Sequence, residues 1–143
     1  MYDRILVPLD GSDLARAILP RVQALAAPLG SEVILLQILG ESGVLPKTAA
    51  KERREAEEHL KAAAQELPDA GVNARYTIRH CSDAAAEIVD NAEVNDVDLI
   101  AMSTHGRSGI SRWVLGSVAS KVLRGTSKPI LVIRAPGATV EEA

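Results

Sequence analysis

Aliphatic runs of strand length alternate along this chain with segments whose apolar residues recur at helical spacing. This alternation is typical of successive βαβ units, which fold into a largely parallel sheet. Five strands are predicted, at residues 4–9, 32–38, 72–80, 99–102 and 129–133. Four of them have nearly unbroken aliphatic cores, as expected for strands covered by helices on both faces. We therefore expect an α/β fold with a single open five-stranded parallel sheet.

The third predicted strand has a different pattern from the other four. Its apolar residues Val72, Ala74, Tyr76 and Ile78 alternate with polar ones. Strict alternation indicates one buried and one solvated face. We expect this strand at an edge of the sheet.

Four helices are predicted, opening at Ser12, near Thr48, after Ser82 and at Gly116-Ser117. Ser12 and Ser82 are assigned as N-caps because a serine side chain can accept a hydrogen bond from the first turn. The first helix would extend to Leu29 with Pro20 inside it. Proline removes one backbone hydrogen bond and crowds the carbonyl four residues earlier, so we expect a bend near residues 16–20 and not a break into loop.

Size and composition narrow the range of functions. The chain has 143 residues and a formal net charge of −3, with no Phe, two Tyr and one Trp. One domain is expected for this length, over residues 1–136, followed by a frayed tail at 137–143. Neither the charge nor the few aromatic residues suit binding to polyanions or base stacking, so nucleic acid is not an expected partner.

Targeting and redox features point to the cytoplasm. The single cysteine, Cys81, cannot form an internal disulfide, which fits a reducing compartment. The apolar run near the N-terminus is too short for a signal peptide, and no run is long enough to span a membrane. We predict a cytoplasmic protein that does not bind membranes.

The loops after the first and fourth strands carry the candidate chemistry. Ligands of open parallel sheets bind beyond the carboxyl ends of the strands, where the strand order reverses. Asp10 follows the first strand, and the segment 103–117 after the fourth contains Gly106, Gly109 and Gly116. Glycines that admit a close backbone approach, next to a helix N-terminus, predict a phosphate cradle, with a plain turn and a capped helix as the alternative.

Three common phosphate-binding patterns are excluded. After the first strand the chain has Asp10-Gly11-Ser12-Asp13 and not the G-x-G-x-x-G of dinucleotide-binding folds. A Walker A sequence is absent. A phospho-receiver would need an acidic residue after the third strand, where this chain has Arg79-His80-Cys81.

Several segments of the chain resemble the universal stress protein family. They are residues 8–12, 32–38, 104–107, 115–118 and 128–133. The ATP-binding branch of that family carries G-x-x-G, nine residues, then G-[ST]. Gly106, Gly116 and Ser117 fit this motif, whereas Ser103 stands in place of the first glycine.

The resemblance implies a Rossmann-like fold, close to the adenine nucleotide alpha hydrolases, with strand order 3-2-1-4-5. It also implies a symmetric homodimer that pairs through the last strand, and a stress-response module that binds ATP with Mg²⁺. Asp10 would help to hold the Mg²⁺. The nucleotide-binding residues carried over are Pro8, Leu9, Asp10 and Ile38 at the adenine and ribose, Met102 and Ser103 at the ribose, and Gly106, Arg107, Gly116, Ser117 and Val118 at the phosphates.

The sequence leaves three functional hypotheses open. The first is an ATP-binding regulatory module in which aliphatic side chains of Leu9, Ile38 and Met102 sandwich the base. The second is a slow ATP hydrolase or phosphotransfer enzyme that uses Mg²⁺ and His105, although no carboxylate has obvious spacing to orient that histidine. The third is a nucleotide-free dimeric interaction protein, a hypothesis that remains because Ser103 stands in place of the first motif glycine.

Overall fold

A computed structural model of the chain describes residues 1–40, 45–67, 71–104 and 116–134. The predicted tail at 137–143 lies outside these residues. The described part contains a five-stranded parallel sheet in the order β3-β2-β1-β4-β5, which confirms the predicted fold class. The strands are β1 (Arg4–Leu9), β2 (Glu32–Leu39), β3 (Asn73–His80), β4 (Leu99–Ser103) and β5 (Ile130–Ile133).

Helices cover both faces of the sheet. They are α1 (Asp13–Arg16), α2 (Leu19–Leu29), α3 (Pro46–Glu66), α4 (Ala84–Val94) and α5 (Ser117–Gly125). The first three pack on one face, against a core layer that includes Val7 and Leu35. The last two pack on the other face, against a layer that includes Leu36 and Ile100. Because side chains alternate along a strand, each buried strand supplies residues to both layers.

Strand β1 is the point at which the strand order reverses. It pairs with β2 along its whole length, from Arg4 to Leu9. Its pairing with β4 ends at Leu6 and Ile100, although β1 continues to Leu9 and β4 to Ser103. Pro8, which has no backbone N–H to donate, lies in this unpaired stretch. The two strands therefore part at their carboxyl ends.

The first predicted helix is two helices, so the prediction of one continuous helix is wrong. Ala17 and Ile18 between them keep right-handed helical φ and ψ, so the chain turns within the predicted region 16–20 without opening into a loop. Helix α1 ends at Arg16, and α2 begins at Leu19 with Pro20 in its first turn. At that position a proline lacks only a donor that has no intrahelical partner, whereas inside one long helix it would have left the carbonyl of Arg16 unpaired. The proline consequently starts a helix here.

The N-cap predicted for the third helix is also wrong by one residue. Asp83 and not Ser82 caps α4, and its Oδ1 accepts a hydrogen bond from the N–H of Ala86 at 3.1 Å. Aspartate and serine cap helices about equally well, so neighbouring candidates cannot be ranked from residue type.

Strand β3 lies at one edge of the sheet, as its alternating pattern predicts. Two arginines on its polar face pair with acidic groups of neighbouring elements. The Nε of Arg75 lies 3.3 Å from Oε1 of Glu32, and the Nε of Arg79 lies 4.0 Å from Oε1 of Glu87. Charged side chains of this kind discourage a further strand from adding to an edge.

Helix α3 covers the sheet with a narrow apolar stripe. Ala56, Leu60 and Ala63 are buried, while the remainder of its surface is rich in charged residues and includes the i,i+4 pair Lys51–Glu55. Among the described helices, none combines the length and apolar character that crossing a bilayer would need.

Candidate functional site

The parting of β1 and β4 opens a cavity of about 340 Å³ at the carboxyl ends of the strands. We call it the strand-end cavity. Its apolar wall comes mainly from the core layer under α4 and α5, and Leu9 and Ala15 of the opposite layer also line it. Its lining comprises Pro8, Leu9, Asp10, Ala15, Leu36, Ile38, Ala84, Ile88, Met102, Ser103, Thr104, Gly116, Ser117, Val118 and Ala119.

The structure brings together the described residues that the sequence singled out. Nine of the predicted nucleotide-binding residues line the strand-end cavity. They are Pro8, Leu9, Asp10, Ile38, Met102, Ser103, Gly116, Ser117 and Val118. The other two, Gly106 and Arg107, lie outside the described residues, as does His105.

The inner wall of the cavity is aliphatic. Leu36, Ile88 and Met102 are buried there in one core layer, with Ile38 packed against it. None of the described lining residues is aromatic. Leu9, in contrast, is only 4% exposed and belongs to the core layer on the opposite face. The predicted sandwich of Leu9, Ile38 and Met102 is therefore divided between the two faces of the sheet, and Leu36 and Ile88 supply much of the apolar wall.

Ile38 lies where the register leaves one side of β2 open. The last residue pair between β1 and β2 is Leu9 with Gln37, whereas β2 continues to Leu39 in register with β3. Ile38 therefore extends past the end of β1, at the lip of the cavity. This is the position at which a strand can offer backbone groups to a ligand.

Asp10 lies at the junction of β1 and α1. Its Oδ1 accepts hydrogen bonds from the backbone N–H of Ser12, at 2.9 Å, and from the Ser12 hydroxyl. Gly11 between them has a φ of 84°, in the left-handed region that favours glycine. The sharp turn brings Ser12 back to the Asp10 carboxylate. Ser12 also caps α1, because its Oγ accepts a hydrogen bond from the N–H of Ala15 at 3.1 Å.

The opposite lip of the cavity is formed by the start of α5. The N–H of Gly116 donates to the carbonyl of Thr104 at 2.8 Å, and the N–H of Thr104 donates to the carbonyl of Ile133 at 3.0 Å. Gly116 is the N-cap and has no side chain with which to cap the first-turn amides of α5. Those amides, together with the positive end of the helix dipole, favour an anion at this lip.

Helix α4 contributes residues that the sequence interpretation missed. Ala84 and Ile88 line the cavity, and Ile88 was predicted only as an inward-facing core residue. The rule that ligands bind beyond strand ends points to loop residues, so these helix residues were not predicted as part of the site. The alternation of side chains along β2 could have indicated them, because Leu36 and Ile38 must face the same helix layer. The other unpredicted lining residues are Ala15, Leu36, Thr104 and Ala119.

Two other candidate groups lie away from the cavity. Cys81 is half-buried near the start of α4, where its Sγ lies 3.5 Å from both the N and the O of Asp83. His59 of α3 packs on the opposite face of the sheet, and burial followed by the charge of Arg16 lowers its pKa. Within the described ranges, no group of three or more His, Cys, Asp or Glu side chains could hold a metal by itself.

Comparison with known proteins gives consistent relatives along the whole described length. The model of the universal stress protein family matches residues 1–134. Universal stress protein MJ0531 of Methanocaldococcus jannaschii is 31% identical over 144 residues, which cover 95% of this chain and 84% of the relative.

Solved structures of related proteins have the same fold. That of MJ0577, also from Methanocaldococcus jannaschii, superposes with a TM-score of 0.86 at 32% identity and covers 94% of this chain and 96% of the other. The universal stress protein of Archaeoglobus fulgidus in complex with dAMP has a TM-score of 0.72 at 24% identity and covers 93% of this chain and 98% of the other.

Proposed function

Because the chain belongs to the universal stress protein family, we propose that it binds ATP with Mg²⁺ in the strand-end cavity, as a small regulatory module of a stress response. One observation carries this proposal. The ends of β1 and β4 and the first turn of α5, which are distant in sequence, meet around one cavity of about 340 Å³. Small-molecule sites usually have volumes of roughly 300–1,000 Å³.

The two ends of the cavity differ in a way that suits a nucleotide. The inner wall of Leu36, Ile88 and Met102 offers an apolar surface to a base. The outer lip at Gly116 and Ser117 offers backbone amides and a hydroxyl to phosphate oxygens. A related protein from Archaeoglobus fulgidus binds dAMP, which has the same base.

The donor set of the cavity also fits magnesium carried by a nucleotide. Mg²⁺ prefers oxygen ligands and is usually held by one or two carboxylates together with substrate phosphates and water. Asp10 supplies one carboxylate at the lip of the cavity. The remaining oxygens would come from the triphosphate and from solvent, so a dedicated metal cage is not needed.

We favour ATP binding without rapid hydrolysis. Asp10 is the one titratable side chain among the described lining residues, so this part of the wall supplies no acid–base pair. Ser103 is 9% exposed and lines the cavity where the family motif has glycine. Its hydroxyl can hydrogen-bond a ribose or phosphate group, although its side chain occupies space that glycine leaves open.

The proposal is tested by extracting nucleotide from the purified protein and then titrating ATP with Mg²⁺ by calorimetry. Wild-type protein should bind ATP, and Gly116→Val should lose most of that affinity because the added side chain stands at the phosphate lip. Gly125→Ala is the control, since among the described residues a Cβ at the far end of α5 meets only Val89 Cγ2, at 3.5 Å. Absence of ATP binding by the folded wild-type protein would overturn the proposal.

A further inference from the structure

We propose that Ser12 is a positioning residue of the strand-end cavity, whose hydroxyl fixes the Asp10 carboxylate before a ligand arrives. This inference rests on the proposed function for its effect on nucleotide binding. The orientation of the Asp10 carboxylate by Ser12 does not depend on a nucleotide.

A chain of hydrogen bonds joins two residues of the cavity wall through Ser12. The N–H of Ala15 donates to Ser12 Oγ at 3.1 Å, and the Ser12 hydroxyl donates to Asp10 Oδ1. A serine hydroxyl carries one proton, and an ionised carboxylate can only accept, so the direction of this bond is determined. Asp10 and Ala15 line the cavity, whereas Ser12 is not among its lining residues.

The carboxylate receives a second donor from the same residue. The backbone N–H of Ser12 lies 2.9 Å from Asp10 Oδ1. Two donors on one oxygen hold the side chain in a single orientation, and hydrogen bonds to an ionised acceptor are stronger than neutral ones. Asp10 therefore does not have to be ordered when a ligand binds, and this avoided ordering favours affinity.

The positioning role of Ser12 is separable from its capping role. Capping α1 uses the hydroxyl oxygen as an acceptor from Ala15, whereas positioning Asp10 uses the hydroxyl proton. If Ser12 only caps the helix, replacing it should change ligand binding by the same factor whether or not position 10 is aspartate. If Ser12 acts through Asp10, replacing it should change binding only when Asp10 is present.

The first readout is a double-mutant cycle on the full chain, with ATP and Mg²⁺ as the probe. Ser12→Ala should weaken binding about three- to tenfold in the wild-type background, the effect of having to order one side chain. It should have less than about a twofold effect in the Asp10→Ala background. Ser12→Thr, which keeps the hydroxyl, should rescue most of the affinity. An equal loss in both backgrounds, or no loss in either, would overturn the inference.

The second readout needs no nucleotide. Three-bond NMR couplings should show one dominant χ1 rotamer of Asp10 in the wild-type protein and a smaller population of that rotamer in Ser12→Ala, which keeps the backbone N–H donor but loses the hydroxyl. A melting temperature is recorded for each variant. Averaging in the wild type, or the same rotamer population in both proteins, would overturn the inference even if Asp10→Ala binds too weakly to titrate. A single wild-type rotamer without ATP binding would instead overturn the proposed function.

Discussion

The N–H of Gly116 donates to the carbonyl of Thr104 over 2.8 Å, so the end of β4 and the beginning of α5 are joined at one lip of the strand-end cavity. The N–H of Thr104 in turn donates a hydrogen bond to the carbonyl of Ile133 in β5. The lip is thus attached to two strands of the sheet. Helix α5 presents its first turn to the cavity from a fixed position.

Removing the N–H of Gly116 should destabilise the junction between β4 and α5. Gly116 has a φ of −55°, which proline can adopt, but Gly116→Pro deletes the N–H that Thr104 accepts. We expect Gly116→Pro to be about 1 kcal/mol less stable to urea than Gly116→Ala, which keeps the N–H. Both variants lose the preference for glycine at an N-cap. Proline also restricts the unfolded chain, which favours Gly116→Pro, so any lower stability of Gly116→Pro is a minimum for the contribution of the hydrogen bond. A Gly116→Pro variant more stable than Gly116→Ala would contradict a contribution from this bond.

Enlarging Ala84 should fill the cavity from the side of α4. Ala84 lines the strand-end cavity, whereas Ala86 on the same helix is exposed. We expect Ala84→Leu to weaken ATP binding by about tenfold or more, because its added side chain competes with the base for the apolar wall. Ala86→Leu should bind as the wild type does. Calorimetric titration with melting curves distinguishes this steric effect from unfolding, and unchanged affinity in Ala84→Leu would place the base elsewhere.

The buried ring of His59 should make stability depend on pH. Both ring nitrogens are buried without a hydrogen-bond partner in the described residues, and burial, reinforced by Arg16, lowers the pKa of His59. The unfolded chain then binds more protons than the folded one, so the free energy of unfolding should fall as the pH drops through about 6.5. The negative charges of Asp13, Asp10 and Glu66 favour the protonated ring, so they oppose this lowering of the His59 pKa and limit its size.

The measurement is urea unfolding at about pH 7.5 and about pH 5.5, on either side of the usual histidine pKa. His59→Gln should show a smaller loss of stability between the two values than the wild type shows. His80 is exposed, so His80→Gln should keep the wild-type dependence. A wild-type slope that His59→Gln leaves intact would show that other groups cause it.

Strand β5 is the edge through which we propose that two copies pair. Its Leu131 is 37% exposed on an edge strand, and unpaired strand groups beside an apolar side chain favour addition of a partner strand. Light scattering should give a dimer mass for the wild type and a monomer mass for Leu131→Glu. Tyr76→Glu, a matched change at the other edge on β3, where Tyr76 is 40% exposed, should remain dimeric. A monomeric wild type at micromolar concentration would contradict the proposal.

Local pattern was sufficient to predict the strands and the edge position of β3. Aliphatic runs such as Val33–Leu36 are buried on both faces only when helices cover both faces of the sheet. The alternation from Val72 to Ile78 fits a strand with one solvent-exposed face, as at a sheet edge. The same reasoning identified the loops at Asp10 and Gly116, because parallel strands carry their ligand-binding loops at one edge.

The sequence by itself predicted which segments would be strands and that they would be parallel, since both depend on periodicity within a few residues. Residue types singled out the loops after the first and fourth strands, whereas the strand order that brings these loops together was implied by the resemblance to the universal stress protein family. The tertiary structure alone decided that Pro20 begins a helix, that Asp83 caps α4, and that Leu9 packs away from Ile38 and Met102 while Ala84 and Ile88 complete the wall. Those outcomes depend on which helix lies against which face and on which of several equivalent hydrogen bonds the packing permits. Residue spacing along one strand shows which side chains share a face, but it does not show which helix covers that face or which hydrogen bond forms.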